Sequence, residues 1–404
     1  MKKTKFSDFF EGNAMKSFYS SFSAILLGLI AGILVMLICS FFVSGADFGR
    51  GMVTLLQGPF AALKPAKSLG NMIFYAVPLM FTGFSVAIAY KTGLFNIGAP
   101  GQFLMGTMIS LLIALNINSV GNPVQGVFVW LLALVCGMIT GAIWGMIPGL
   151  LKAFLGINEV IICIMTNWIA ANMFTWVFSC QPHLINTSSG KSSYLIKTAV
   201  TGNGTPTFAL DKLLPGSYID CGIVFAIVIA VLLWLLINKT TLGYSMRACG
   251  LNKFSAKYAG MNDKFNLIFS MAIAGGLAAL GGCFYYLNPG IEISYKSVYQ
   301  NLPGYGFDGI PAALLANCNP IAILFSSLFM RYLYSSGTNL SSSGFNLYFS
   351  NLIVAIIIYL SGFSRYFGEK ISLINRVIDN KTKKKYYKSL TDGLLDEAIV
   401  KEDK

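Results

Sequence analysis

Apolar residues in this chain come in long unbroken blocks, and that pattern limits what it can fold into. One block covers 22–44, and others cover about 71–90, 99–117, 124–150, 159–180, 219–237 and 265–288. A run of roughly 20 apolar residues is long enough to cross a hydrocarbon core of about 30 Å as a helix. In lipid every backbone N–H and C=O must be satisfied within the segment, which selects helices. Soluble proteins carry about 25% charged residues. This chain is 11% charged and 55% hydrophobic, with a mean hydropathy of +0.67. The last third is less regular, with apolar stretches at 306–318, 320–336 and 345–363. The first of these is short and holds Asp308 and Pro311, so a re-entrant or broken helix stays open there. The expected fold class is an all-α integral membrane bundle of about ten helices. A transmembrane domain over 18–363 would lie between an N-terminal segment, 1–17, and a tail, 364–404.

The net charge of +13 is concentrated between the blocks and in the tail. The segment 238–264 holds Lys239, Arg247, Lys253, Lys257 and Lys264 against Asp263 alone, and the tail carries eight Lys or Arg between Arg365 and Lys388. The longer loop 181–218 has three lysines; Arg50, Lys64 and Lys67 in an earlier loop run against the trend. The positive-inside rule then places 238–264 and both termini in the cytoplasm and 181–218 outside. It accounts for the basic balance without a nucleic-acid partner. The first apolar block exceeds the usual signal-peptide core, so an uncleaved first span is expected.

Reactive groups are scarce. His183 is the single histidine and lies in the 181–218 loop, so histidine metal pairs and proton relays are excluded. Ser189-Gly-Lys-Ser192 resembles the end of a phosphate-binding loop, but Ile185 stands where its first glycine is required. No catalytic residue, metal or cofactor is expected. Carboxylates that would couple transport to an ion gradient are few: Glu159 and Asp308, both near span ends. Glu159 also reads as a helix-start acid favoured by the dipole. The eight cysteines include no C-x-x-C pair; Cys180 and Cys221 flank the 181–218 loop, where a disulfide is possible. Gly137, Gly141, Gly145 and Gly149 recur every four residues and mark one helix face for close packing, a role that Gly275-Gly276 and Gly281-Gly282 would share.

Four segments carry a family resemblance. Gly93-Leu-Phe-Asn-Ile-Gly-Ala-Pro-Gly-Gln102 resembles the G-L-F-N-I-G-A-E-G-Q run of nucleoside and simple-sugar ABC importer permeases, within the superfamily that includes branched-chain amino acid and ribose permeases. Nine of ten positions agree, and Pro100 replaces the glutamate. The segment 240–261 resembles their T-x-x-G-x-x-x-R-A-x-G-x-N-x-x-A-A-x-Y-A-G loop, with Ser255 in place of the first alanine of the pair. Asn158-Glu-Val160 and the 305–320 segment are smaller matches, the latter departing at Pro311, Ala312 and Ala316. Residue chemistry reads 240–261 as two short helices: Gly250 ends the first in a left-handed conformation, Asn252 caps the second, and Gly260 ends that one.

The resemblance implies an importer permease for nucleosides, with simple sugars or an ion-coupled carrier as alternatives. Its implied partners are ABC ATPase subunits, a second homologous permease, an external substrate-binding lipoprotein and membrane lipid, in a bacterial cell membrane. Residues 240–261 would be the coupling loop that meets the ATPase, through Arg247, Gly250, Asn252, Ala256, Tyr258 and Gly260. Asn96, Gln102, Glu159, Asn167, Phe307 and Asp308 would border the substrate pathway.

Overall fold

A computed structural model of the chain describes residues 13–42, 45–187 and 190–345, with a few scattered positions between 352 and 363. The expected span at 345–363 and the tail 364–404 lie essentially outside the described residues, as does Ser189. Helix α1 spans Asn13–Phe42 and α2 spans Phe48–Gln57. The principal bundle is α3 (Pro65–Lys91), α4 (Ala99–Asn116), α5 (Pro123–Leu155), α6 (Glu159–Ser179), α7 (Gly222–Lys239) and α10 (Asp263–Tyr286). Between α7 and α10 lie two short helices, α8 (Thr241–Leu251) and α9 (Lys253–Tyr258); α11 (Gly304–Leu315) and α12 (Pro320–Asn339) follow.

The expected count of ten spans is not reproduced among the described residues. Six helices are long and apolar enough to cross a membrane, or up to seven if the α11–α12 pair is one bent span. That pair covers the stretch where the sequence leaves a re-entrant or broken helix open, and it is bent by 119° at a four-residue break. Pro320 at the first turn of α12 has no N–H to continue a helix, and it forces Asn319 into an extended conformation, φ −94° and ψ 120°. Asn319 then caps α12 by accepting from the N–H of Ile321. Asn317 and Cys318 complete the reversal with positive φ.

Glycine sets the tightest interface. The four-residue stripe of α5 faces α10: a Cβ on Gly141 would lie 2.7 Å from the Gly275 carbonyl oxygen, and one on Gly145 would lie 2.9 Å from the Gly275 Cα. On α10, Gly275 belongs to this seam and Gly282 packs on the Phe103 carbonyl of α4. Gly276 has ordinary room against Met138, so it is not part of the close approach. Small residues let the backbones meet, and dispersion between them replaces the hydrophobic drive that lipid does not supply.

The loop 181–218 is tied down by backbone bonds to the segment after α10, with Leu195 N donating to Ile293 O and Tyr295 N to Ser193 O, each at 3.0 Å. Lys191 of the phosphate-loop look-alike pairs with Glu292 at 2.8 Å, which gives it a structural partner. Lys197 approaches the same carboxylate at 3.5 Å, and the two lysines hold Glu292 below the ordinary carboxylate range. Cys180 is exposed, Cys221 is buried, and both are free thiols. His183 bonds to the Asn116 side chain at 2.8 Å.

Candidate functional site

The turn between α3 and α4 is built around two facing amides. Asn96 donates to Gln102 Oε1 at 2.8 Å and to Ser85 Oγ at 2.9 Å, while Gln102 donates back to Asn96 Oδ1 at 3.1 Å. The same Asn96 oxygen accepts from the Gly98 N–H. Asn96 and Gln102 are buried, at 0% and 1% exposure. This is a closed circuit: each amide spends its polar atoms on the turn. Gly93 starts the turn with φ +77°, which glycine adopts without strain.

Asn167 of α6 joins this turn and reaches beyond it. Its Oδ1 accepts from Gly101 N–H at 2.8 Å and its Nδ2 donates to Ile97 O at 2.9 Å. It also borders an open pocket of about 320 Å³, with Trp168 and Ile164 on α6, Phe307 on α11 and the segment Gln300–Leu302. Trp168 and Phe307 present aromatic faces, while Gln300 and Asn301 present exposed amides. Planar apolar faces with a few convergent amides suit an uncharged ring system bearing hydroxyl groups.

The structure thus brings Asn96 with Gln102, and Asn167 with Phe307. Glu159 is elsewhere: it opens α6 and pairs with Lys152 of α5 at 2.7 Å. Asp308 faces away from the pocket that its neighbour Phe307 lines, toward Arg331 of α12 at 3.9 Å. Pro100, in place of the family glutamate, packs at α4's first turn against Gly306 of α11, leaving no room there for a Cβ.

At the far end of α3, α8 rests on the same turn. Gly250 corrects the sequence expectation: it lies within α8, whose C-cap is Asn252, and does not adopt a left-handed conformation. The glycine is required instead by close approach, since a Cβ there would overlap the Lys91 carbonyl and lie 3.1 Å from Gly93 N. Asn252 caps α9 as expected, accepting from Phe254 N and Ser255 N at 3.0 and 3.1 Å. Gly260 ends that helix with φ +80°. Ala256 is buried, and Arg247, whose Nε donates to Gly243 O at 3.4 Å, borders a pocket of about 490 Å³ with Tyr90, Lys91, Gly93 and Leu251.

Sequence reasoning missed three sets of residues. Leu251 and Phe254 project from α8 and α9 at 89% and 76% exposure, beside Tyr258, an expected coupling residue that is 93% exposed. Trp168, Gln300 and Asn301 complete the open pocket. Arg331 is a lone charge within an otherwise apolar block, a visible signal that called for a partner.

The fold and these sites define a polytopic transporter permease. The family described as branched-chain amino acid transport system / permease component matches residues 68–361, and the chain belongs to that family. The guanosine ABC transporter permease protein NupP of Bacillus subtilis is 33% identical over 338 residues, covering 83% of this chain and 90% of the relative. The nucleoside ABC transporter permease protein NupB of Lactococcus lactis is 32% identical over 339 residues, covering 83% and 88%. The glucose ABC transporter permease protein TsgB13 of Haloferax volcanii is 27% identical over 278 residues, covering 67% and 69%. No solved structure matches the chain. Family membership makes it a multi-pass membrane protein that works with ATPase and substrate-binding partners; the relatives are transporter permeases, not enzymes.

Proposed function

We propose that this chain forms the translocation pathway of an ATP-driven importer of nucleosides in a bacterial cell membrane. It would pair with a second, related permease, with both termini in the cytoplasm and the 181–218 loop outside. The observation that carries this reading is the contact of Gly250 with Lys91 and Gly93, which seats α8 directly on the turn that holds Asn167. An ATPase pressing on the exposed Leu251, Phe254 and Tyr258 would move α8 against the turn. Gly101 and Ile97 of the turn grip Asn167, so the displacement reaches the pocket between α6 and α11. A large apolar cluster on a segment outside the spans marks a protein contact.

The pocket chemistry agrees with the cargo of the two most similar relatives reported above. Trp168 and Phe307 would stack on a base, and the exposed amides of Asn301 and Gln300 would meet its edge and the ribose. The external lipoprotein would load substrate from the side of the 181–218 loop. A simple sugar is the second reading, favoured by the glucose permease relative; a sugar offers no broad aromatic face to both rings.

The test is uptake of labelled nucleosides and of glucose by cells carrying wild-type chain or Arg247→Glu, with pulldown of the ATPase subunit. Nucleoside uptake and ATPase association should fall together while membrane insertion persists. Glucose uptake in place of nucleoside uptake moves the cargo to the second reading. Uptake that survives Arg247→Glu and collapses with an ionophore overturns ATP coupling altogether.

A further inference from the structure

A cavity of about 650 Å³ shares no lining residue with the α6–α11 pocket or with the pocket beside the coupling element. It sits between the start of α3 and the second half of α12, and three cations border it: Lys64, Lys67 and Arg331. Lys64 and Lys67 are exposed at its mouth, and neither makes an ion pair among the described residues. Arg331 lies at its floor with its side chain 12% exposed. The rings of Tyr305, Tyr334 and Tyr75 surround the guanidinium, at 4.6, 5.0 and 6.0 Å from the ring centroids.

Arg331 is underused by its neighbours. Nε donates to Tyr75 O at 3.0 Å, which takes one of the guanidinium's five N–H groups. Among the described residues one carboxylate pairs with it, Asp308, which stands off at 3.9 Å, too far for a bidentate pair. A charge in a membrane-spanning element is costly and calls for a partner. The cavity therefore offers one deep planar donor fork, two exposed ammonium groups at the rim, and tyrosine faces between them. That arrangement fits a phosphate group, whose oxygens match the arginine fork and whose charge suits the lysines.

The setting decides which phosphate. Lys64 is at the opposite end of α3 from Lys91, and α3 is 27 residues long, about 40 Å of helix. The mouth is thus at a membrane surface, in the leaflet away from the coupling element. Leu63, fully exposed beside Lys64, and Met72 give the rim an apolar lining. A basic recess with an apolar rim at headgroup depth takes a lipid more readily than a freely hydrated ion.

We infer that this cavity binds the phosphodiester headgroup of an anionic phospholipid, held by Arg331 and by the Lys64–Lys67 rim. Only the leaflet assignment rests on the proposed orientation of the importer; headgroup binding is measured independently of uptake, so the two readings fail separately.

The experiment is native mass spectrometry of the transporter carrying this chain, purified in detergent and titrated with phosphatidylglycerol or phosphatidylcholine. Wild-type protein should retain phosphatidylglycerol preferentially. Lys64→Gln with Lys67→Gln should lower that preference by roughly tenfold or more. Both lysines are exposed, so the melting temperature of the double variant should match wild type. Arg331→Lys, which keeps the charge and loses the fork, should weaken retention as well. Equal retention of the two lipids, or an unchanged preference in the double variant, overturns the proposal. Release of bound phosphatidylglycerol by millimolar inorganic phosphate also overturns the lipid as occupant and puts a soluble phosphate compound in its place.

Discussion

The turn at 93–102 and the pocket between α6 and α11 are made from the same chemistry and do different things. Both are amides set among apolar and aromatic residues. In the turn, Asn96 and Gln102 bond each other, Ser85 and Gly98, and they are shut away from solvent and lipid. In the pocket, Gln300 and Asn301 are exposed beside Trp168 and Phe307. The lesson concerns polar residues near a membrane span: one whose hydrogen-bonding capacity is filled internally shapes the backbone, and one left open can meet a ligand. Asn167 belongs to both regions, bonded to the turn and bordering the pocket, and this is why it is a natural joint between them.

Breaking the closed region should have the largest effect. Asn96→Leu strips partners from Ser85, Gln102 and Gly98, and each buried polar group left alone costs about 1–3 kcal/mol. A loss of about 3 kcal/mol or more is expected, seen as poor recovery from membranes and a much lower melting temperature in detergent. A variant as stable as wild type would show that the circuit is dispensable. In the open region the effect should fall on transport alone. Phe307→Ala or Trp168→Ala should raise the nucleoside KM for uptake roughly tenfold, in line with about 1–3 kcal/mol per stacked base, with little change in melting temperature. If either variant melts early and transports with normal KM, the pocket is packing rather than a binding surface.

Gly250→Ala sharpens the comparison by disturbing the turn from outside. Its Cβ would overlap the Lys91 carbonyl, so α8 must shift. ATPase pulldown should be retained while transport per ATP hydrolysed falls several-fold. The smallest effect concerns the loop brace. Glu292 is held below its ordinary value of 4.5 by Lys191 and Lys197, so its folded form binds a proton less readily than the unfolded one. Its stabilisation is fully present above that ordinary value and is lost as pH falls through the lowered folded value. Melting temperature should therefore decline more steeply with acidification below pH of about 4.5 in wild type than in Glu292→Gln. Parallel slopes would remove the brace from the account.

Much was legible in the chain because the bilayer constrains it so strongly. Block length and the need to satisfy the backbone internally located all six principal helices, although the observed Pro65–Lys91 starts earlier and Pro123–Leu155 ends later than the apolar blocks 71–90 and 124–150. The glycine stripe on α5, the cap by Asn252 and the left-handed Gly260 follow from local stereochemistry, which a sequence displays directly. The bend between α11 and α12 was half visible, in Pro320 and the shortness of 306–318.

What only the tertiary structure decided is where side chains point and what they meet. Gly250 carries the pattern of a helix terminator, yet it is demanded by the backbone of Lys91–Gly93, distant in sequence. Asn96 and Gln102 have the character of pathway residues until each is seen to be filled by the other. Phe307 and Asp308 are adjacent, but one turns to Trp168 and the other to Arg331. The physical reason is common to all of these: periodicity and propensity are local, whereas the partner that satisfies or leaves open a polar group is supplied by another helix.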